Sequence, residues 1–342
     1  MLISPEELKP AQENAQKILA ELDSILLGQH ELHELVLIGV LGKGHILLEG
    51  LPGVGKTALV KALGQLLGLE FRRIQFTPDL LPGDILGGNI LQVDDQGHRT
   101  LEFQPGPIFT NLLLADEINR ASPKTQSAML EAMQERCVTL QGVTRPLPAP
   151  FFVLASQNPI EMEGTYPIPE AQLDRFLFKL EVSGVDTETM RRIILERRRG
   201  EPPMPSEPLP RECMEQLFAM MERIELSEAV ASYIARLVSA THPGSSEASE
   251  EVTRCVTYGA SPRAAIAMAE AARASALIAG HPTVGFADVR RVAPPVLAHR
   301  LILNYQARLE KLTAATLVAH LLANVDAAGI AWPERTAVEK TE

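Results

Sequence analysis

The string Gly50-Leu51-Pro52-Gly53-Val54-Gly55-Lys56-Thr57 constrains this chain more than any other. It fits the pattern G-x-x-x-x-G-K-[ST], and its flanks fit as well: His45-Ile46-Leu47-Leu48-Glu49 reads as a strand entering it and Ala58–Leu67 as a helix leaving it. Glycines let the backbone curl so that successive N–H groups point inward at phosphate oxygens, and the helix N-terminus adds a favourable partial charge. Gly50, Pro52, Gly53, Val54, Gly55, Lys56, Thr57 and Ala58 are therefore the candidate nucleotide-binding residues. In this frame Lys56 reaches the β and γ phosphates and the Thr57 hydroxyl ligates Mg²⁺, so the expected cofactors are ATP and Mg²⁺.

Two further strand ends carry the residues that hydrolysis needs. Leu112-Leu113-Leu114-Ala115-Asp116-Glu117 is an apolar strand closing on two carboxylates. Beside a phosphate-binding loop, Asp116 can hold Mg²⁺ through water and Glu117 can orient and deprotonate the attacking water. The bland alternative is a strand that exits into a polar loop. Phe151-Phe152-Val153-Leu154-Ala155-Ser156 leads to Gln157-Asn158-Pro159, where the Asn158 amide can position that water without adding charge. Asn-Pro also starts ordinary turns, and its value here lies in following the other two elements in order.

The first half alternates short apolar runs (Ile46–Leu48, Ile74–Phe76, Leu112–Ala115, Phe151–Ala155) with helical stretches, the pattern of a buried parallel sheet in an α/β layer fold. After Glu181 only helices are expected: Thr187–Arg199, Arg211–Glu222, Ser227–Thr241, Ser261–Ala279, Phe286–Ala298 and Ala314–Val325. The proline-dense stretch Glu201–Pro210 reads as a stiff linker. A chain of 342 residues suggests about two domains. We divide it into residues 1–184, an α/β core with an N-terminal helical segment, and residues 185–342, an all-helical unit with a frayed tail.

With 32 Lys plus Arg against 43 Asp plus Glu, the net charge is −11, and only 15 residues (10 Phe, 4 Tyr, 1 Trp) are aromatic. Acidic charge and scarce stacking surface make nucleic acid a poor partner. Cys137, Cys213 and Cys255 are isolated, and no CxxC pair suggests zinc or a disulfide framework. Glu6, Glu7 and Glu13 sit where a signal peptide would be basic and apolar, and no run approaches the ~18 apolar residues of a membrane span, so a cytoplasmic location is expected. His30 and His33 lack a third metal ligand and read as surface or packing residues; Arg191, Arg192 and Arg197–Arg199 read as a solvated helix face interleaved with Glu188 and Glu196.

Several longer strings resemble the MoxR family of AAA+ ATPases: Arg73-Ile74-Gln75-Phe76-Thr77-Pro78-Asp79, Phe103-Gln104-Pro105-Gly106-Pro107-Ile108-Phe109, Ala115-Asp116-Glu117-Ile118-Asn119-Arg120 and Thr165-Tyr166-Pro167-Ile168-Pro169-Glu170-Ala171-Gln172-Leu173-Asp174-Arg175-Phe176. The resemblance runs from about Ile25 to about Leu303. It implies an AAA+ P-loop core with a parallel sheet and β-hairpin inserts, followed by a helical lid. It implies that Gly28 and Gln29, in Leu27-Gly28-Gln29, lie on the adenine side; that Arg175 is an arginine finger reaching a neighbouring subunit's nucleotide; and that Arg263, in Ser261-Pro262-Arg263, is the second-domain sensor. An intrachain ion pair with Asp174 or a nearby carboxylate is the plain alternative for Arg175, and a solvated position in a helix-capping region the plain one for Arg263. Hairpins are expected over Ile90–Val93 with Arg99–Phe103, joined by Asp94-Asp95-Gln96-Gly97, and over Cys137–Leu140 with Val143–Leu147, joined by Gln141-Gly142.

The resemblance further implies Mg²⁺-dependent ATP hydrolysis by a homo-oligomeric ring of six subunits that remodels or matures a protein client carrying a von Willebrand factor type A domain. Alternatives on the same core are a chelatase-type motor subunit and a nucleic-acid motor or loader; the latter predicts basic hairpins, whereas these carry Asp94, Asp95 and Glu102 beside Arg99, Arg136 and Arg145. A nucleotide switch that never turns over is disfavoured by the intact Asp116-Glu117 pair.

Overall fold

The structure, a computed structural model, describes residues 3–51, 53–93, 98–159, 164–197, 205 and 208–327. The chain opens with α1 (Pro5–Ile25), started by a capping box in which Ser4 Oγ accepts from the Glu7 amide and the Glu7 carboxylate accepts from the Ser4 amide. Its buried residues Leu8, Ala11, Ala15, Ile18, Leu22 and Ile25 fall at spacings of three and four, one stripe facing inward. α2 (His30–Leu41) is buried continuously from Val36 to Leu41, as a helix apolar on every side must be.

The α/β region follows as β1 (Ile46–Gly50), α3 (Lys56–Leu66), β2 (Phe71–Gln75), α4 (Pro82–Leu86), β3 (Gly87–Val93), β4 (Arg99–Pro105), β5 (Leu112–Asp116), α5 (Pro123–Glu135), β6 (Cys137–Leu140), β7 (Val143–Pro146), β8 (Phe152–Gln157), α6 (Glu170–Leu173) and β9 (Phe178–Val182). Five of these strands form one parallel sheet in the order β2-β5-β8-β1-β9. Its alternating side chains divide between two interiors. Ile46, Leu48, Leu112, Leu114, Phe152 and Leu154 face α1, α2, α3 and the C-terminal helices. Leu47, Leu113, Ala115, Val153 and Ala155 face α5. Burial on both faces is why the central strands read as unbroken apolar runs. The pairs β3–β4 and β6–β7 are separate antiparallel hairpins, as expected; the turn over Asp94–Gly97 lies outside the described residues.

Beyond the sheet come α7 (Thr187–Glu196), α8 (Arg211–Met221), α9 (Glu228–Ser239), α10 (Glu250–Cys255), β10 (Val256–Tyr258), α11 (Pro262–Ala279), α12 (Phe286–Leu297), β11 (Ile302–Leu303), α13 (Tyr305–Leu309) and α14 (Ala314–Asn324). This C-terminal region is helical, with one amendment to the reading of helices alone: β10 and β11 pair as a short antiparallel ribbon. Two strands of three and two residues carry too little periodicity to register in sequence. β9, the fifth sheet strand, was also not anticipated, because Phe178-Lys179-Leu180-Glu181-Val182 alternates apolar with charged residues, unlike the other strands. Of the proline-rich linker, Pro205 accepts from Gln65 Nε2 at 2.8 Å and the Leu209 amide donates to the Leu66 carbonyl, which ties it to the end of α3. The interior does not divide along the chain: α1, α2, one sheet face and the lid helices share one continuous hydrophobic cluster.

Candidate active site

Strand order decides what meets what. β8 lies between β5 and β1, and all three run parallel, so their carboxyl ends open on one edge of the sheet. The glycine-rich loop leaves β1 there, Asp116 ends β5, and Asn158 stands just beyond β8, between the other two.

Gly53 and Gly55 adopt left-handed conformations, with φ of 85° and 93°, which β-carbon sterics oppose in other residues. A Cβ on Gly50 would lie 2.5 Å from the Val182 carbonyl oxygen, whereas one on Gly53 would meet nothing within 4 Å, leaving that stretch of backbone open to a phosphate. Lys56 donates to the Gly50 carbonyl at 2.5 Å. Its burial pushes its pKa below the usual ammonium range, and the carboxylates of Asp116 and Glu117 pull it back up, so loop and acidic pair share one electrostatic space. Thr57 and Ala58 lie in the first turn of α3, and Val54 and Ala58 pack against the larger hydrophobic cluster. Pro52 lies outside the described residues.

Asp116 is buried and accepts from Ser156 Oγ at 2.5 Å and from Arg73 Nη2 at 2.7 Å. Glu117 adopts φ of 56°, a left-handed conformation that costs a side-chain-bearing residue about 1–2 kcal/mol and that turns the chain out of the strand immediately after the acids. Its carboxylate accepts from Gln75 Nε2 at 2.7 Å and from Arg120 Nη1 at 3.0 Å. Asn158 is buried at 6% exposure.

The segment before α2 borders the loop from the other side. Gly28 has φ of 79°, and a Cβ there would stand 2.8 Å from Thr189 Cγ2; Gln29 Nε2 donates to the Ser183 carbonyl at 3.3 Å. Leu26 Cδ2 lies 3.3 Å from where a Cβ on Gly55 would be. A cavity of about 330 Å³ opens here, lined by Gly28, Gln29, Leu35, Leu180 and Gly184.

Arg175 and Arg263 are not brought to this edge. They line a cavity of about 270 Å³ with Gly44, His45 and Asp174, at the start of β1 rather than its end. The Leu177 amide donates to the His45 carbonyl, just ahead of the strand. A strand of five residues is about 17 Å long, so the sheet separates both arginines from their own loop. Arg175 does not pair with Asp174: its Nη1 donates to the Leu130 carbonyl at 2.7 Å, and Asp174 instead meets Arg300 at 2.8 Å and Arg263 at 3.5 Å. Ser261 caps α11 and Pro262 starts it, leaving the Arg263 side chain 55% exposed.

Residues 45–178 match the ATPase family associated with various cellular activities, and residues 248–321 match the AAA lid domain. The chain is 43% identical to Chaperone MoxR1 of Mycobacterium tuberculosis over 91% of this chain and 81% of that protein. The chain belongs to the MoxR family of AAA+ ATPases. The YeaC protein of Bacillus subtilis is 41% identical over 90% of this MoxR chain and 93% of its own. A solved structure from Cytophaga hutchinsonii superposes with a TM-score of 0.82 at 38% identity, covering 94% of this chain and 97% of that one. As a MoxR-family AAA+ protein, the chain binds nucleotide and is an ATPase.

Sequence reasoning assigned no role to Arg73, Gln75, Arg120 or Ser156, yet these hold the two carboxylates of the MoxR site. Arg73 and Gln75 alternate on β2, and Gln75 pairs in register with Asp116. That period of two was a usable signal only once β2 was known to neighbour β5. His33 is fully buried, and both His30 and His33 hydrogen-bond Asp23, at 2.6 and 2.7 Å, a packing arrangement. Arg191 and Arg192 pair with Glu188 and Glu196, whereas Arg197 reaches inward to the Ile25 carbonyl; Arg198 and Arg199 lie outside the described residues.

Proposed function

We propose that this chain hydrolyses ATP in a Mg²⁺-dependent reaction at sites shared between neighbouring subunits of a homo-oligomeric ring, and uses the cycle to remodel a protein client. The observation that carries the reading is the split placement of the site residues. Gly50, Gly53–Ala58, Asp116, Glu117 and Asn158 gather at the carboxyl edge of the sheet, while Arg175 and Arg263 wait at the opposite edge.

In this reading Gly28 and Gln29 border the base, the loop amides and Lys56 hold the phosphates, and Asn158 positions the water that Glu117 deprotonates. Thr57 and Asp116 would hold Mg²⁺, which supplies charge neutralisation at the phosphates when bound. One carboxylate and one hydroxyl suit that ion, which keeps most of its shell as water and phosphate oxygen; among the described residues no group of three or more acidic, histidine or cysteine side chains offers it a cage. Glu117 acts only after loosening from Gln75 and Arg120, its present partners. Arg175 and Arg263 share one surface and so address the same neighbouring nucleotide, where a guanidinium offsets charge developing at the γ-phosphate.

The remaining assignments follow the family: a hexameric ring, residues 1–184 as motor core and 185–342 as lid, and a cytoplasmic location. Among the described residues no helix is long and apolar enough to cross a membrane. The mycobacterial relative is named a chaperone, and a client with a von Willebrand factor type A domain is proposed on family resemblance. A chelatase-type or nucleic-acid motor would share the same site and differ in what co-purifies with the Glu117→Gln form.

The experiment uses three variants. Lys56→Ala loses ATP binding; Glu117→Gln binds ATP but turns over slowly; Arg175→Ala binds ATP and loses a factor of about 10³–10⁵ in rate. Mixing Arg175→Ala with Glu117→Gln subunits restores turnover, because some interfaces then pair an intact Glu117 with an intact Arg175. If mixed rings form and no ratio restores phosphate release, the shared site is wrong.

A further inference from the structure

Away from the nucleotide loop, the lid carries a guanidinium in its interior: Arg300 is only 7% exposed. A guanidinium carries five N–H donors, and burying it is costly unless each finds an acceptor. All five are used. Nε donates to Asp174 Oδ1 at 2.8 Å; Nη1 donates to the carbonyls of Leu177 at 3.2 Å and Val296 at 2.5 Å; Nη2 donates to the carbonyls of Asp174 at 3.1 Å and Phe176 at 2.6 Å. Three of these five acceptors are backbone carbonyls on either side of Arg175. His299, the preceding residue, adds a fourth lid bond to the backbone carbonyls of that segment, between Nε2 and the Phe176 carbonyl at 3.3 Å.

Arg175 has little else to hold it. Its side chain makes the bond to Leu130 already described, and its buried Nε has no partner. Asp174 is the hub: besides Arg300 it accepts from Ser261 Oγ at 3.0 Å, the cap of the helix that carries Arg263, and pairs with Arg263 itself. The finger segment is therefore fastened to the lid at the turn between α12 and β11 and at the start of α11.

We propose that Arg300 is a positioning residue that locks residues 174–177 to the lid, so that Arg175 and Arg263 move as one body when the lid moves. Lid rotation in one subunit then advances or withdraws both arginines from the neighbour's nucleotide. This rests on Arg175 acting across the subunit interface.

Arg300→Lys keeps a positive charge beside Asp174 but not the planar fork that reaches four further carbonyl oxygens. We expect ATP affinity and KM within about twofold of the parent and kcat lowered at least roughly tenfold, since the loop that binds the nucleotide lies at the other edge of the sheet. The discriminating readout is complementation. Arg300→Lys subunits regain turnover when mixed with Glu117→Gln subunits, and do not when mixed with Arg175→Ala, because in that pair every finger is impaired. Wild-type kcat in Arg300→Lys overturns the proposal. So does failure of the Glu117→Gln mixture while Arg175→Ala with Glu117→Gln still recovers; if that control mixture fails too, the shared site itself is wrong and the proposal falls with it. Circular dichroism and gel filtration report whether Arg300→Lys is folded. Where it is not, Asp174→Asn, which keeps the shape and an acceptor oxygen, is put through the same mixtures, and if neither variant folds Arg300 is a fold anchor and the proposal is withdrawn.

Discussion

His45 shows how one residue can set a pH limit on the whole molecule. It is buried beside β1, donating from Nε2 to the Met133 carbonyl at 3.0 Å and accepting at Nδ1 from the Val153 amide at 3.1 Å, a pattern only the neutral ring can satisfy. Burial lowers its pKa from 6.5 to about 4, and burial with the Arg300 charge lowers His299 from 6.5 to about 3. Both groups therefore bind protons more readily in the unfolded chain. Their stabilising contribution is complete above the unfolded value and is lost as pH falls from 6.5 toward 4 and 3. Urea unfolding should show stability falling by up to about 1.4 kcal/mol per pH unit for each histidine over that window. His45→Gln should be less stable at neutral pH and show a shallower slope; an unchanged slope would mean His45 is not the titrating group.

Elements, not isolated residues, account for the two hairpins. β3–β4 and β6–β7 are separate in sequence and share no strand ladder, yet they touch: Asn89 Nδ2 donates to Gln141 Oε1 at 2.5 Å, and the Arg145 guanidinium sits 3.8 Å above the Phe103 ring. A cation over an aromatic face contributes about 0.5–1 kcal/mol at an exposed site, enough to bias the two hairpins toward one orientation. Leu91 and Leu101 are directly paired across β3 and β4 and are 56% and 69% exposed, so the first hairpin presents an apolar pair where solvent alone would favour polar residues. Replacing both by serine should leave ATPase activity within about twofold, since both are exposed and neither packs into the clusters that flank the sheet, and should weaken retention of a protein client by the Glu117→Gln form. Pull-down of the client beside a phosphate-release assay reads both quantities; unchanged retention removes the hairpin as the contact.

At the scale of the whole molecule, core and lid share one interior. Gln16 of α1 donates to the Ile278 carbonyl of α11 at 2.9 Å, Glu34 of α2 pairs with Arg291 of α12, and the larger hydrophobic cluster runs through all of these helices. A chain ending at residue 184 would expose the apolar stripes of α1 and α2, at about 25 cal/mol for each Å² returned to water. It should bind a hydrophobic dye and unfold without a cooperative transition, whereas the full chain unfolds cooperatively. Two-state unfolding of the truncated chain at the parent's urea midpoint would show that the core stands alone. The same shared interior gives lid movement a mechanical route to the sheet, because helices packed into one close-packed cluster shift together or not at all.

The strand–loop–helix at Gly50–Thr57, the acids at Asp116 and Glu117 and the long helices after Thr187 were legible in sequence because each rests on local chemistry: glycine conformations, charge at a strand end, and helical periodicity with a cap. Local chemistry could not show that β8 lies between β5 and β1, which is what puts Asn158 between loop and acids, nor that Arg73 and Gln75 reach those acids from β2. Strand order is set by which apolar faces bury best together, a sum over residues far apart in the chain. Arg300 is the clearest case. Alone in sequence it is one arginine at the end of a helix; it becomes a clamp on the finger segment only because folding carries it across 126 positions to Asp174 and encloses it where every donor must find an acceptor.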